Sequence, residues 1–405
     1  MNFRIKTTSI KTTSKRILSS IAMLDPVLSL LDQQRKLISR FKKIKSIDQE
    51  IFDEYNKIIS RFPKKIIIDK SNPIISAIEI NKNCNLDCIM CNTSLSNRAD
   101  FNMSLDLFEN ILKKMRKSGQ RFTTLHTIGE PLMNKDLFKY FELLRKYKIK
   151  IFLSTNVIPL NEKKTMKLLE WTDIIHQLRF SIDGATKDVF EKIRVNGKFD
   201  RLIKNLDIFK KLNNEKINTL IGSIVSNDTE NQLAYHLYFY SKYVPMENIK
   251  LSLVDGLSPD NKYFLSHSVL KNHIVSQLPC NQLNSSINIL NDGSASACCR
   301  DYNGDLVYGN IASQEVSELL DSKKLEELAE QHNNRKIISK SLCASCYQVD
   351  DRVLNLFNLF SRSLVAIYKN NWNVDLMQLK FNDFFSLFEK SIPSKNDFLR
   401  IIKPN

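Results

Sequence analysis

Three of the eight cysteines in this chain, Cys84, Cys88 and Cys91, follow one another at intervals of four and three residues. Thiolates are soft, strongly donating ligands, suited to iron–sulfur clusters and to zinc. Three of them leave the fourth metal position open. A four-iron cluster on three cysteines keeps one iron available for another ligand, which is an arrangement for chemistry rather than for bracing a fold. A second group, Cys280, Cys298, Cys299, Cys343 and Cys346, lies far along the chain. It supplies four thiolates with one to spare, enough for a filled cluster or for a structural zinc. Neither group resembles an extracellular disulfide framework, so a reducing, cytoplasmic compartment is expected.

The elements that must position these thiolates are legible from periodicity. Apolar, β-branched runs at 74–80, 123–127, 149–155, 174–182, 217–225 and 249–254 alternate with helical patterns near 104–118, 134–147, 161–171, 199–213 and 229–243. Such alternation argues for an α/β fold of parallel strands covered by helices, as an open or partial barrel. Ligands bind beyond the carboxyl ends of the strands in such folds, and several polar motifs fall there. After residue 257 the pattern weakens to a helix at 264–278, a short strand at 287–290, turns at Asp292-Gly293 and Asn303-Gly304, and a charged helix at 315–330. The flanks, 1–70 and 351–405, read as helical, and Pro63 stops the last N-terminal segment. The expected domains are therefore a helical extension (1–70), a barrel (71–262), a cysteine-bearing module (263–350) and a second helical extension (351–405).

The C-x3-C-x2-C spacing just after a strand resembles the signature of the radical SAM enzymes. The resemblance covers roughly residues 74–260 and implies a partial (β/α)6 TIM barrel. It also implies that the open iron chelates S-adenosylmethionine (SAM), whose reductive cleavage yields a 5′-deoxyadenosyl radical. Residue by residue, Met90 stands where the family shelters the adenine. Thr127-Ile128-Gly129-Glu130-Pro131 resembles the Gly-Gly-Glu-Pro motif, with Ile128 in place of a glycine, and implies that Gly129 and Glu130 receive the methionyl ammonium. Ser154-Thr155-Asn156 resembles the Ser/Thr-Asn-Gly segment, with Val157 replacing glycine. Ser181-Ile182-Asp183-Gly184 implies a ribose or carboxylate contact from Ser181 and a pocket shaped by Asp183, while Arg194 stands as the arginine that meets the cofactor carboxylate. His126 either points into this cavity or is a satisfied core histidine.

The second cysteine group, with Asn291-Asp292-Gly293 and Tyr308-Gly309-Asn310-Ile311, resembles the SPASM or twitch-type auxiliary domain. Too few cysteines are present for two auxiliary clusters. One [4Fe–4S] cluster on Cys280, Cys298, Cys343 and Cys346 is the reading, with Cys299 the alternative to Cys298. Four thiolates fill every iron, so this cluster is expected to accept or relay electrons rather than bind substrate.

The resemblance leaves the substrate open. A single auxiliary cluster and a helical, rather than winged, N-terminal segment favour oxidation of a small molecule or carbohydrate. A peptide or protein maturase is the alternative, and a tRNA- or RNA-modifying enzyme a third. The net charge of +16 suits phosphate contacts, but it is spread along the chain without interleaved aromatics. Asp255, near the end of the sixth strand, is a candidate base. An electron donor such as flavodoxin or ferredoxin is implied. No apolar run reaches the roughly 18 residues of a transmembrane helix.

Overall fold

The computed structural model describes residues 65–254, 266–267, 280, 282–334, 336 and 342–345. Residues 1–64 and 351–405, where the helical extensions are expected, most of the expected helix at 264–278, Asp255 and Cys346 lie outside the described residues.

Six strands follow one another in register: β1 (Ile74–Ile78), β2 (Phe122–Thr124), β3 (Lys150–Thr155), β4 (Ile175–Ser181), β5 (Thr219–Val225) and β6 (Ile249–Leu253). All five pairings between neighbours are parallel. The crossovers carry α1 (Leu105–Lys117), α2 (Leu137–Lys146), α3 (Glu162–Leu169), α4 (Lys187–Ile193), α5 (Phe199–Asn213) and α6 (Leu233–Tyr240). Strands in sequential order, joined by helical crossovers, make the α/β partial barrel that the alternation implies.

Local chemistry explains the helix boundaries. Ser104 caps α1 by accepting from the Leu107 N–H, and Asn161 caps α3 by accepting from Lys164. The buried face of α1 is Phe108, Ile111, Leu112 and Met115, an i, i+3, i+4, i+7 stripe that meets Tyr140 of α2 edge-on. Each such side chain, fully buried, contributes about 1.5–3 kcal/mol. The seven-residue α4 is too short and has too few apolar positions to register as a helix by periodicity. Its C-cap is Arg194.

Three further strands extend the sheet past β1: β7 (Ser286–Ile289), β8 (Ser294–Ser296) and β9 (Val307–Asn310). β7 pairs parallel to β1, and β8 and β9 follow antiparallel, so the described strands run in one sheet, β6-β5-β4-β3-β2-β1-β7-β8-β9. Sequence periodicity implies the hairpin but not its attachment to β1. The helix expected at 315–330 is two, α7 (Val316–Leu320) and α8 (Lys323–Asn333). Ser322 breaks them apart: its backbone is extended and its hydroxyl donates to the Tyr308 carbonyl at 2.9 Å.

Candidate active site

The first cysteine group occupies the loop after β1, at the carboxyl end of the sheet. Two backbone bonds pin this loop to the end of α4, Ile89 N–H to the Ile193 carbonyl (3.0 Å) and Asp87 N–H to Val195 (3.1 Å). Gly129 closes over its base. With φ +87°, a Cβ there would stand 2.7–2.8 Å from the Lys82 and Asn81 carbonyls, so only glycine fits. The next N–H, Glu130, donates to Asn83 at 2.9 Å.

Donors point at the sulfurs. The Leu86 N–H lies 3.5 Å from Cys84 Sγ and Asn156 Nδ2 lies 3.8 Å from it. Arg194 Nη1 lies 3.7 Å from Cys88 Sγ, and the Thr93 hydroxyl is 3.0 Å from Cys91 Sγ. Burial pushes the Cys84 thiol up to about 11 and Cys88 to about 12, with Arg194 pulling Cys88 the other way. The apo-protein therefore holds both as thiols, and loading a cluster releases their protons. Three mutually interacting cysteines ringed by N–H donors and one guanidinium fit a cluster whose sulfurs accept hydrogen bonds. They could hold a [4Fe–4S] cluster with one iron open to SAM.

Around them the motif residues converge. Ser154 and Ser181 lie at the ends of β3 and β4. Asp183 is fully buried and binds Arg194 through Nε (2.7 Å) and Nη2 (2.6 Å), and it accepts from the Ile224 N–H at 2.5 Å. Burial opposes the Arg194 charge, but Asp183, joined by Cys88 and Cys91 once they are thiolates, outweighs it and holds the guanidinium cationic. Arg194 thus rests on Asp183 against Cys88. The Glu130 carboxylate takes backbone bonds from Leu132 (3.1 Å) and Asn156 (2.7 Å) and is 2% exposed. Burial lifts it to about 7, against the pull of those bonds. It braces the loops after β2 and β3, while Met90 is buried in the core. His126 is half-buried, its Nδ1 has no hydrogen-bond partner among the described residues, and burial with the nearby Arg179 charge pushes it down to about 4.

Three features escape the sequence patterns. Val157 keeps the left-handed backbone (φ +71°) of the glycine it replaces. That conformation is strained for a β-branched residue, and Asn205 of α5 holds it by donating to the Val157 and Ile158 carbonyls at 2.9 and 3.1 Å. Glu79, at the end of β1, is fully buried and pairs with Arg98 (2.7 Å). Arg98 also donates to Asn291 Oδ1 (2.9 Å) and the Tyr302 carbonyl (3.0 Å), which ties the segment after Cys91 to the β7–β9 hairpin. No motif marks Asn205, Glu79 or Arg98.

In the second group, Cys298 and Cys299 follow β8, and Cys280 and Cys298 are close enough to interact. The adjacent Cys299 side chain, then burial, raises the Cys298 thiol well above its ordinary range. The Arg300 N–H donates to Cys298 Sγ at 3.3 Å, again a donor aimed at a sulfur. Cys343 lies in the 3-10 turn Leu342–Ser345.

Comparison with known proteins agrees with this geometry. Residues 78–237 match the model of the radical SAM superfamily, and residues 280–347 match that of the SPASM iron–sulfur cluster-binding domain. This chain is a radical SAM enzyme with a C-terminal SPASM domain. As such it takes SAM, a SAM-binding [4Fe–4S] cluster and an auxiliary [4Fe–4S] cluster. Among radical SAM relatives, the mycofactocin maturase MftC of Mycobacterium tuberculosis (strain CDC 1551 / Oshkosh) is 25% identical over 134 residues, 33% of this chain and 34% of that protein. The chain thus spans about a third of the length of that relative. The fold is shared with Streptococcus suis SuiB bound to its precursor peptide SuiA (TM-score 0.52, 15% identity, 79% of this chain and 82% of that one). It is also shared with AdoMet-bound anSMEcpe (TM-score 0.50, 19% identity, 78% and 98%). No helix among the described residues is long and apolar enough to cross a membrane.

Proposed function

We propose that this radical SAM enzyme modifies a peptide, with Cys84, Cys88 and Cys91 holding the SAM-binding cluster and Cys280, Cys298, Cys343 and Cys346 the auxiliary one. When bound, the first cluster and SAM supply a carbon radical that abstracts hydrogen from the substrate. The chain's own residues would orient and shield: Arg194 is aimed at Cys88 Sγ and Asn156 at Cys84 Sγ, and the turns at Gly129 and Val157 would set the cofactor bed. Gly129, Glu130, Ser154, Asn156, Ser181, Asp183, Arg194 and Met90 are the proposed SAM-site residues. The division into a barrel (71–262) and an auxiliary module (263–350) belongs to the same reading, as does Asp255 as base.

The observation that carries the peptide is the rim of the site. Ile89, Leu95 and Phe101, in the loop after β1, and Met133, after β2, are exposed at 37–64%. Scattered apolar exposure is ordinary, but four of the ten exposed large hydrophobic residues among those described fall in the two loops beside the first cysteine group. An extended chain needs such a surface, and a single sugar or aminocyclitol does not. The name of MftC, a maturase, and the precursor peptide bound to SuiB point the same way. This reading is preferred to oxidation of a small molecule or carbohydrate and to action on tRNA.

The test is anaerobic reconstitution with iron and sulfide, then SAM and dithionite, with a peptide encoded beside this chain, an aminocyclitol panel or bulk tRNA. A mass change in the peptide with matching 5′-deoxyadenosine supports the reading. Turnover on an aminocyclitol or tRNA, with the peptide unchanged, sinks it.

A further inference from the structure

β4 carries one cation that the cofactor site does not use. Arg179 lies two residues before Ser181, on the same face of the strand. Phe180 between them faces the helices and meets Phe209 of α5 edge-on at 5.0 Å, so Arg179 faces the inside of the barrel. The sheet register shows which way its side chain runs. Arg179 is level with Leu220 of β5, and Ser181 is level with Gly222. The guanidinium nevertheless lies over Gly222, where a Cβ would come within 2.2–2.5 Å of Nε, Nη2 and Cζ. The side chain therefore runs up the barrel, toward the carboxyl ends of the strands and the first cysteine group. Gly222 clears its path.

In that position Arg179 makes no hydrogen bond or ion pair among the described residues. It keeps contact with solvent, yet the protein around it is dense enough that burial lowers its pKa. Asp183 attracts it, but both Asp183 oxygens are engaged by Arg194 and the Ile224 N–H. Arg300, beside the auxiliary Cys298-Cys299 pair, repels it. His126, neutral at pH 7, feels the Arg179 charge and has a buried Nδ1 with no hydrogen-bond partner among the described residues. The Arg179 guanidinium and an uncommitted imidazole, with the local acid already spent, form an arrangement completed by an oxyanion.

We propose that Arg179, with His126, binds a carboxylate of the substrate between the two cysteine groups. The peptide reading enters only in choosing carboxylate over phosphate. A planar guanidinium fork accepts either, and a peptide carries the former. The site would hold the substrate by a fixed charge while its neighbouring carbon meets the radical.

The probe is trifluoroacetate, followed by fluorine-19 NMR on the reconstituted, SAM-bound enzyme, with trifluoroacetamide as its neutral match. Saturable broadening by the anion alone is expected, about tenfold weaker in Arg179→Gln and unchanged in the surface control Lys163→Gln. Gly222→Ala keeps the charge but displaces the guanidinium, and is expected to weaken the probe as well. Iron content shows whether each variant is folded and loaded. Equal broadening in wild type and Arg179→Gln would overturn the site and assign the signal to the general +16 charge. Loss of SAM affinity in Arg179→Gln would overturn it in favour of a cofactor contact. Displacement of the probe by inorganic phosphate at far lower concentration than by acetate would overturn the carboxylate assignment. No peptide is used, so failure here is distinct from failure of the peptide reading.

Discussion

The two cysteine groups solve the same problem of holding thiolates in opposite ways. The first is compact in sequence but depends on distant strands: its loop is closed by Gly129 after β2, backed by Asn156 after β3 and faced by Arg194 after α4. The second is dispersed in sequence, from Cys280 to Cys346, and two of its described members, Cys298 and Cys299, hang from a hairpin that extends the sheet past β1. A compact triplet leaves an open coordination position and draws specificity from what surrounds it. The quartet proposed for the second group would fill its metal, leaving its surroundings to carry electrons and stability.

The largest expected effect separates the two directly. Replacing Cys84, Cys88 and Cys91 with alanine should reduce iron from about eight to about four per chain and abolish 5′-deoxyadenosine. Replacing Cys298 and Cys343 should also lower iron but leave reductive SAM cleavage measurable. If the second variant loses cleavage while its first cluster is shown to be intact by EPR, the division of roles between the groups fails.

The next effect tests the joint between them. Arg98→Ala removes the cation paired with the fully buried Glu79 and two contacts to the hairpin side. Breaking a buried pair by removing one partner costs about 3–5 kcal/mol. The loss should appear in denaturant unfolding of the loaded protein, and Arg98→Ala with Glu79→Gln should recover part of it. No loss in the single variant would mean that the two regions are not joined through this pair.

A smaller effect is linked to pH. Glu130 is lifted by burial to about 7 from 4.5, so the folded protein binds its proton more tightly than the unfolded chain. A raised carboxyl stabilises the fold below about pH 4.5, and that contribution is lost as pH rises toward 7. Stability should therefore fall across that window by at most about 3 kcal/mol, and Glu130→Gln should flatten this part of the profile. An unchanged slope in the variant would assign the dependence elsewhere.

Much of the barrel was legible because strands and helices alternate with clean periods: β3, β4 and β5 start within two residues of their sequence ranges. The motif residues were legible because they sit at strand ends, where exposure and polarity break the apolar run. What remained hidden is what periodicity does not encode. α4 is shorter than two full apolar repeats, and β7 joins β1 by a long-range parallel pairing with no local signal. Glu79, Arg98 and Asn205 look like ordinary polar residues until the fold buries them against specific partners. Arg179 in particular reads as one polar position on a strand, and only the register with Gly222 shows where its charge goes.

The smallest effect concerns how the first group is tuned. Arg194 is the one cation within 4 Å of a cysteine sulfur in this loop among the described residues, held there by Asp183. A positive charge beside a cluster favours its reduced form, because the added electron is partly neutralised. Arg194→Lys keeps a charge but loses the two-nitrogen grip on Asp183, so the ammonium no longer holds its place against Cys88. The reduction potential of the SAM-binding cluster should fall by on the order of tens of millivolts. Iron content should be retained, and EPR-monitored titration reads the shift. The auxiliary cluster has no such pairing with Arg194, so its potential should stay fixed in the same sample. A parallel shift of both clusters would show that Arg194 acts through the fold as a whole, and the contrast between a compact site tuned by Arg194 and a dispersed one outside its reach would be lost.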